Sequence, residues 1–169
     1  MKPKKNLVKL SKKIPKRYYL PLNKKDKYLQ LQELDKSRKM YRQQKYYTRK
    51  KMSSFNSKPS RHVVDFKTCY GINISSNLKT IEKVTGVSVE VCQKILNKGR
   101  GAYYSSGSRP NQTAESWARA RLASAILKRG AYKIDKHIFI KHGSTSVNKC
   151  RRIKSINAKS TKNQKKDIL

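Results

Sequence analysis

Acidic residues are scarce in this sequence, which has 9 Asp and Glu against 43 Lys and Arg among its 169 residues and a formal net charge of +34. Cysteines are also few, and Cys69, Cys92 and Cys150 form no CxxC pair. We therefore expect free thiols in a reducing compartment rather than a disulfide framework. No apolar run approaches the roughly 20 residues of a membrane-spanning helix, and the basic N-terminus lacks the apolar segment of a secretory signal.

The positive charge is concentrated at the two ends of the chain. Residues 1–61 hold 21 basic and 3 acidic residues, residues 62–140 hold 13 and 5, and residues 141–169 hold 9 and 1. A surface that is merely solvated mixes both signs of charge, whereas an excess of this size attracts polyanions, whose released counterions add affinity. The composition predicts a polyanion partner, first of all nucleic acid such as DNA, bound without regard to sequence.

Hydrophobic periodicity predicts a mainly α fold, with a small helical core that contains a helix-turn-helix-like corner and is flanked by long basic arms. Residues 1–61 form a basic N-terminal arm with one amphipathic helix, because apolar and aromatic residues between 24 and 46 recur at spacings of three and four. Residues 62–142 form the compact helical domain, and residues 143–169 form a basic C-terminal tail.

The corner lies in residues 77–99, where two short helices meet at a turn that contains Gly86. Ser88 is a suitable N-cap for the second helix, and Gly99 is predicted to end it. Such a corner either reads DNA or packs a small domain. The helix that would read DNA starts with Val89, Glu90 and Val91, which are apolar or acidic and suit phosphates poorly.

A third helix is predicted to begin after Thr113, to bury Trp117 and to end at Gly130, before a short strand or a last helical turn. The stretch between Gly101 and Arg109 that precedes it has no charged residue. Since charges are costly to enclose, we interpret this stretch as a buried or semi-buried connection. The residues predicted to have core or structural roles are Gly99, Gly101, Tyr103, Tyr104, Arg109, Pro110, Trp117, Arg121 and Leu122.

No residue pattern predicts catalysis, a cofactor or a metal ion. His137, His142 and Cys150 match no compact zinc spacing, and the acidic residues of the middle region are scattered. The glycine-rich stretch lacks the ending of a phosphate-binding loop, and its Tyr and Ser residues have no base placed to activate them. We therefore predict a non-enzymatic protein. The residues predicted to contact the polyanion are Lys12, Lys13, Lys16, Arg17, Arg42, Lys45, Arg49, Lys50, Lys51, Arg151 and Arg152.

The stretch KGRGAYYSSGSRPNQTAESWARARLASA, at residues 98–125, resembles the signature of an uncharacterised domain family of nucleocytoplasmic large DNA viruses, with related proteins in phages. The resemblance extends over about residues 14–142. It implies a viral protein, found in the virion and in the cytoplasm or nucleus of the infected cell, but it implies no activity.

Together these patterns favour a minor capsid or virion core protein whose arms bind packaged DNA, acidic capsid partners or both, within a large assembly. Two alternatives stay open at this point. One is a sequence-specific DNA-binding regulator that uses the helix-turn-helix corner, and the other is a ribosomal-type RNA-binding protein with basic tails.

Overall fold

The computed structural model describes Lys9, residues 13–144 and Cys150. This part of the chain contains six α-helices and no β-strand, so the predicted mainly α fold is confirmed. A short 3-10 turn, Lys16–Tyr18, precedes the first helix. The helices are α1 (Lys24–Arg42), α2 (Arg61–Tyr70), α3 (Leu78–Thr85), α4 (Val89–Ser105), α5 (Ala114–Ile126) and α6 (Gly130–Lys141).

The predicted helix starts are confirmed where a polar side chain can cap free backbone N–H groups. The Val91 N–H donates to Ser88 Oγ at 3.4 Å, and α4 begins at the next residue after Ser88. The Ser116 N–H donates to Thr113 Oγ1 at 3.0 Å at the start of α5. A side-chain oxygen near the first turn satisfies a donor that has no partner within the helix.

Two predicted helix ends are wrong, and both involve glycine. Gly99 does not end α4, which continues through Gly99 and Gly101 to Ser105. A side chain at Gly101 would place its Cβ 3.2 Å from the Tyr41 hydroxyl oxygen, so glycine permits a close approach to α1 there. Gly130 begins α6 instead of ending the previous helix, and the segment predicted as a strand or a last turn is a helix of 12 residues.

The chain divides into two compact units, whose limits differ from the predicted domains. The first unit comprises Met1–Lys58 and Leu96–Ala118, and the second comprises Pro59–Ile95 and Arg119–Leu169. Residues 13–58, interpreted above as an arm, therefore belong to a folded unit. The distance in sequence between its two pieces explains the error, since periodicity in one segment does not reveal a partner far along the chain.

The core of the first unit is built mainly from the supposed arm. Trp117 is partly buried and packs against this core, and its indole meets the Tyr18 ring edge-on with centroids 5.8 Å apart. Leu34, in the middle of α1, is completely buried. The cluster consists of Ile14, Tyr18, Tyr19, Leu31 and Leu34, with Tyr28 and Trp117 packed against it.

The second unit contains the predicted corner of α3 and the start of α4. Gly86 ends α3 with φ +73°, a left-handed conformation that favours glycine. Thr85 Oγ1 donates to the Ile81 carbonyl at 2.7 Å and accepts from the Val87 N–H at 3.2 Å, which fixes the turn. The apolar side chains buried in this unit are Phe66, Ile74, Ile81, Val87, Val91, Cys92, Ile95, Leu122, Ala123, Ala125, Ile126, Ile138 and Phe139.

Cys69 and Cys150 form a disulfide, with their Cα atoms 5.2 Å apart, which contradicts the expectation of three free thiols. The two residues are separated by 81 positions in the sequence, and the spacing of three cysteines does not reveal which of them pair. Cys92 is free and buried, and burial raises the pKa of its thiol to about 12.

Candidate nucleic-acid interface

Two carboxylates of α1 turn away from solvent and hold the loop that follows the helix. Asp26 Oδ2 accepts hydrogen bonds from the Ser54 N–H at 2.8 Å and the Ser54 hydroxyl at 2.7 Å. These bonds lower the pKa of Asp26. Because these bonds favour the ionised carboxylate, Asp26 attaches the loop to α1 in its negatively charged form.

Glu33 makes the second attachment, seven residues later in α1. Its Oε2 accepts from the Tyr47 hydroxyl at 3.0 Å and from the Lys50 N–H at 2.8 Å. Glu33 is 6% exposed. The Glu33 carboxylate thus fixes the backbone of the basic run at residues 49–51. It bonds the Lys50 main chain, and the Lys50 side chain is exposed.

Asn111 makes a third attachment to the same loop. Its side chain accepts from the Met52 N–H at 2.7 Å and donates to the Met52 carbonyl at 2.9 Å and the Phe55 carbonyl at 3.0 Å. Met52 is 1% exposed. Buried backbone groups need hydrogen-bond partners. The Asn111 side chain supplies them to this non-helical segment, whose Met52 side chain is buried.

Arg49 points into the first unit, although the sequence predicts it to contact a polyanion. Its guanidinium donates to the Tyr103 carbonyl at 2.9 Å and to Ser108 Oγ at 2.7 Å, and it lies 3.7 Å from the centre of the Tyr103 ring. Burial lowers the pKa of Arg49. With these partners inside the protein, Arg49 has a structural role.

The neutral stretch at residues 101–108 receives Arg49, which explains part of its composition. Tyr103 and Ser108 are buried, as predicted, whereas Ser105 and Ser106 are exposed. Only the second half of the stretch is a connection, because α4 continues to Ser105. Gly107 has φ +90° and packs on Leu34, whose Cδ2 would lie 2.6 Å from an added Cβ.

Three tyrosines meet at one place on the first unit, from α1, from the following loop and from the end of α4. The rings of Tyr41 and Tyr104 are stacked, with centroids 5.9 Å apart and planes inclined by 14°. The Tyr46 ring lies 5.0 Å from Tyr104 and 6.2 Å from Tyr41, and the residue is 73% exposed. We call Tyr41, Tyr46 and Tyr104 the tyrosine cluster.

The tyrosine cluster lies in a strongly basic part of the chain. Residues 36–51 and 96–114 contain no acidic residue, and Arg42 and Lys45 are exposed beside Tyr41 and Tyr46 in the sequence. Burial raises the pKa of Tyr104, while the positive charges of Arg49 and Arg100 act in the opposite direction. The cluster therefore presents aromatic rings in a part of the chain that is rich in cations.

The predicted polyanion contacts fall into three groups. Arg49 is internal, whereas Lys12, Arg151 and Arg152 lie outside the described residues. The other predicted contacts are exposed on the first unit, namely Lys13, Lys16, Arg17, Arg42, Lys45, Lys50 and Lys51.

The predicted structural residues also divide. Arg109 is exposed, so its side chain does not contribute to the core, and Gly101, Tyr104 and Trp117 are half-buried. Arg121 has a structural role, because its guanidinium binds the buried Asp135 carboxylate through two hydrogen bonds of 2.7 and 2.8 Å. The buried members of the predicted set are Gly99, Tyr103, Pro110 and Leu122.

Sequence reasoning missed Asp26, Glu33 and Asn111 as loop attachments, and Tyr41 and Tyr46 as partners of Tyr104. One signal was present for the two carboxylates. They lie seven residues apart in a helix that is mostly basic, and that spacing places them on the same helix face. The contact between Tyr41 and Tyr104 joins residues 63 positions apart, and no local pattern predicts it.

The helix-turn-helix corner presents an acidic side chain at the start of α4. The Glu90 side chain is 59% exposed, with Lys94 Nζ 3.6 Å and His142 Nδ1 3.1 Å from its Oε1 atom. A carboxylate at this position repels phosphates. This favours a packing role for the corner over a role in reading DNA.

Neither a group of metal ligands nor a membrane-spanning helix is found among the described residues. Within this part of the chain, no group of three or more His, Cys, Asp or Glu side chains is arranged to hold a metal ion. None of the described helices is long and apolar enough to span a membrane.

The sequence matches a family of unknown function, DUF5824, over residues 15–162, and the chain belongs to that family. No curated protein and no solved structure shows significant similarity to it.

Proposed function

We propose that this member of the DUF5824 family is a non-enzymatic structural protein of a virus particle, a minor capsid or core component that binds packaged DNA through its first unit. The observation that carries the proposal is the unequal use of charge in that unit. Asp26 and Glu33 bind the protein's own backbone, and Glu115 pairs with Arg100 at 2.8 Å. Although the exposed Lys39 pairs with Asp35 at 3.0 Å, the exposed Arg42, Lys45, Lys50 and Lys51 remain available to phosphates.

The fixed loop adds to the argument. The loop that carries Lys50 and Lys51 is attached to α1 and to Asn111, so little backbone entropy is lost when these residues meet a polyanion. Binding of this kind is electrostatic and indifferent to base sequence. The disulfide also suits a virus particle, because disulfides persist on virion surfaces and are rare in the cytosol.

The proposal is tested with two charge variants of the full chain. One replaces Arg42, Lys45, Lys50 and Lys51 by Ser, and the control replaces four exposed lysines of the second unit. We expect the first variant to bind duplex DNA at least tenfold more weakly than the control, because a protein loses affinity for each phosphate contact it gives up. Equal binding by both variants would contradict a binding surface on the first unit. The control positions are Lys79, Lys83, Lys133 and Lys136.

A regulator that reads DNA through the corner predicts a different result. Selection from a random pool of duplexes would then enrich a motif that is lost when Gln93, Lys94 and Asn97 are changed. We expect no enriched motif.

A further inference from the structure

We infer that the tyrosine cluster stacks an unpaired base, so that the first unit binds single-stranded DNA in addition to duplex. The inference rests on the proposed function for the class of partner, and it adds a site and a preferred strand form. Aromatic side chains beside a positively charged groove are the usual means by which proteins hold single strands without reading their sequence.

The geometry leaves one ring free to receive a base. Tyr41 and Tyr104 stack on each other, and Tyr46 leans on both at 51° and 55°. With 73% of Tyr46 exposed, much of its surface faces solvent although the residue has aromatic neighbours on one side. An apolar ring so exposed on a soluble surface gains from being covered by another flat, apolar face.

The position of Tyr46 is fixed by the backbone around it. Gln44 adopts φ +59°, and the Lys45 N–H donates to the Met40 carbonyl at 3.0 Å, which turns the chain back on the end of α1. The Tyr47 hydroxyl bonds Glu33 on the other side of Tyr46. The end of α4 is tied to α1 by the Ser37 hydroxyl, which donates to the Tyr104 carbonyl at 3.3 Å. The cluster is therefore formed before any ligand arrives.

Charge selects a nucleic acid as the occupant. Arg42 and Lys45 are exposed next to Tyr41 and Tyr46 in the sequence, and residues 36–51 and 96–114 contain no acidic residue. A base that stacks on Tyr46 carries its own phosphates into this basic surrounding. The bases of a duplex already stack on each other, so the ring can meet a π face only where the strands are unpaired.

The test compares Tyr46→Ala, Tyr46→Leu and Tyr46→Phe in the full chain. Leucine keeps an apolar side chain but removes the ring, and phenylalanine keeps the ring but removes the hydroxyl. The probes are oligo(dT) of about 16 nucleotides, a length that covers a single-strand site, an abasic strand with the same phosphates, and a duplex. Circular dichroism checks that each variant is folded. We expect all three to fold, because Tyr46 is exposed.

We expect Tyr46→Ala and Tyr46→Leu to weaken oligo(dT) binding about tenfold, and Tyr46→Phe to weaken it less than about twofold, as for loss of one stacked base. Binding of the abasic strand and of the duplex should not change. A 2-aminopurine in the strand should be quenched by the wild-type protein and much less by Tyr46→Ala.

Three results would overturn the inference. The first is oligo(dT) binding that survives Tyr46→Ala, and the second is an equal loss for the abasic strand. The third is a preference of tenfold or more for oligo(U), which would assign the site to RNA. In all three the electrostatic proposal stands as long as duplex binding remains sensitive to salt. If no probe binds the wild-type protein, the proposed function itself fails.

Discussion

The interiors of the two units are built from different side chains. The first unit buries Tyr18, Tyr19 and Tyr103 and encloses polar groups such as Gln30 and Glu33. The second unit buries mostly aliphatic side chains and phenylalanines, and it encloses one ion pair between Arg121 and Asp135. The first unit therefore buries tyrosines, which keep a polar hydroxyl, where the second buries phenylalanines.

This difference shows how a strongly basic segment can fold. Where lysines crowd a surface, like charges oppose compaction. Asp26 and Glu33 place negative charge next to the crowded backbone and fasten a loop at the same time. The described part of the second unit has fewer cations, and there the Glu82 carboxylate also accepts from a backbone N–H, that of Val89 at 3.3 Å.

The largest effect should come from breaking the ion pair of the second unit. In Arg121→Met, the buried Asp135 carboxylate loses two hydrogen bonds. We expect the free energy of unfolding to fall by about 3–5 kcal/mol, as when one member of a buried ion pair is removed. Urea denaturation measures the change. The double variant Arg121→Met with Asp135→Leu should regain much of the loss, and a single variant as stable as the wild type would contradict the role assigned to the pair.

The disulfide should have the next largest effect, again on the second unit. Closing a loop between Cys69 and Cys150, 81 positions apart, restricts the unfolded chain, and its loss should cost about 2–4 kcal/mol. We expect reductant and Cys69→Ser to lower the melting temperature equally. Reductant should have no effect on the Cys69→Ser variant. Thiol labelling that finds all cysteines free in the native protein would disprove the disulfide.

The loop attachment of the first unit is tested by a pair of neutralising changes in α1. Glu33→Gln weakens the bonds to the Tyr47 hydroxyl and the Lys50 N–H, and we expect a loss of about 1–3 kcal/mol with faster hydrogen exchange at Lys50. Asp35→Asn is the matched control, since Asp35 pairs only at the surface with Lys39. It should cost less than about 1 kcal/mol. Equal effects would mean that charge alone, not attachment, matters.

The smallest effect is the dependence of stability on pH through Asp26. Because hydrogen bonds from Ser54 hold the pKa of Asp26 below its ordinary value of 3.8, the folded state favours the ionised form. The resulting stabilisation is fully present above the unfolded pKa and is lost as pH falls through the lower folded pKa. Comparing wild type with Asp26→Asn, we expect the difference in stability to be constant near neutral pH and to shrink in acid. A difference that grows in acid would reverse this assignment.

Local rules predicted much of the fold. The caps at Ser88 and Thr113 act within one helical turn, and the corner at Gly86 needs only a glycine between two apolar helix faces. A short segment of sequence is therefore enough to predict all three. Glycines mislead where tertiary contact overrides propensity. Gly101 lies inside a helix because Tyr41 lies against it.

The candidate site was less predictable because it depends on distant pairs. High lysine density and interleaved tyrosines favour the segment that we propose as the binding surface, but the contacts of Arg49 with Tyr103 and Ser108 span more than 50 positions. Without them, Arg49 cannot be distinguished from the exposed Lys50 and Lys51. The contact between Trp117 and Tyr18 likewise joins residues that are far apart in the sequence, so no local pattern predicts it.

The central claim is that the folded first unit binds nucleic acid through exposed cations, and the dependence of affinity on salt tests it most directly. For the full chain and duplex DNA, the logarithm of the association constant should fall linearly with that of the salt concentration, with a slope of about −0.9 for each phosphate contacted. Replacing Arg42, Lys45, Lys50 and Lys51 by Ser should make the slope shallower by several contacts, whereas the second-unit control should not. Binding that is insensitive to salt, or a slope unchanged by the first-unit variant, would contradict the claim.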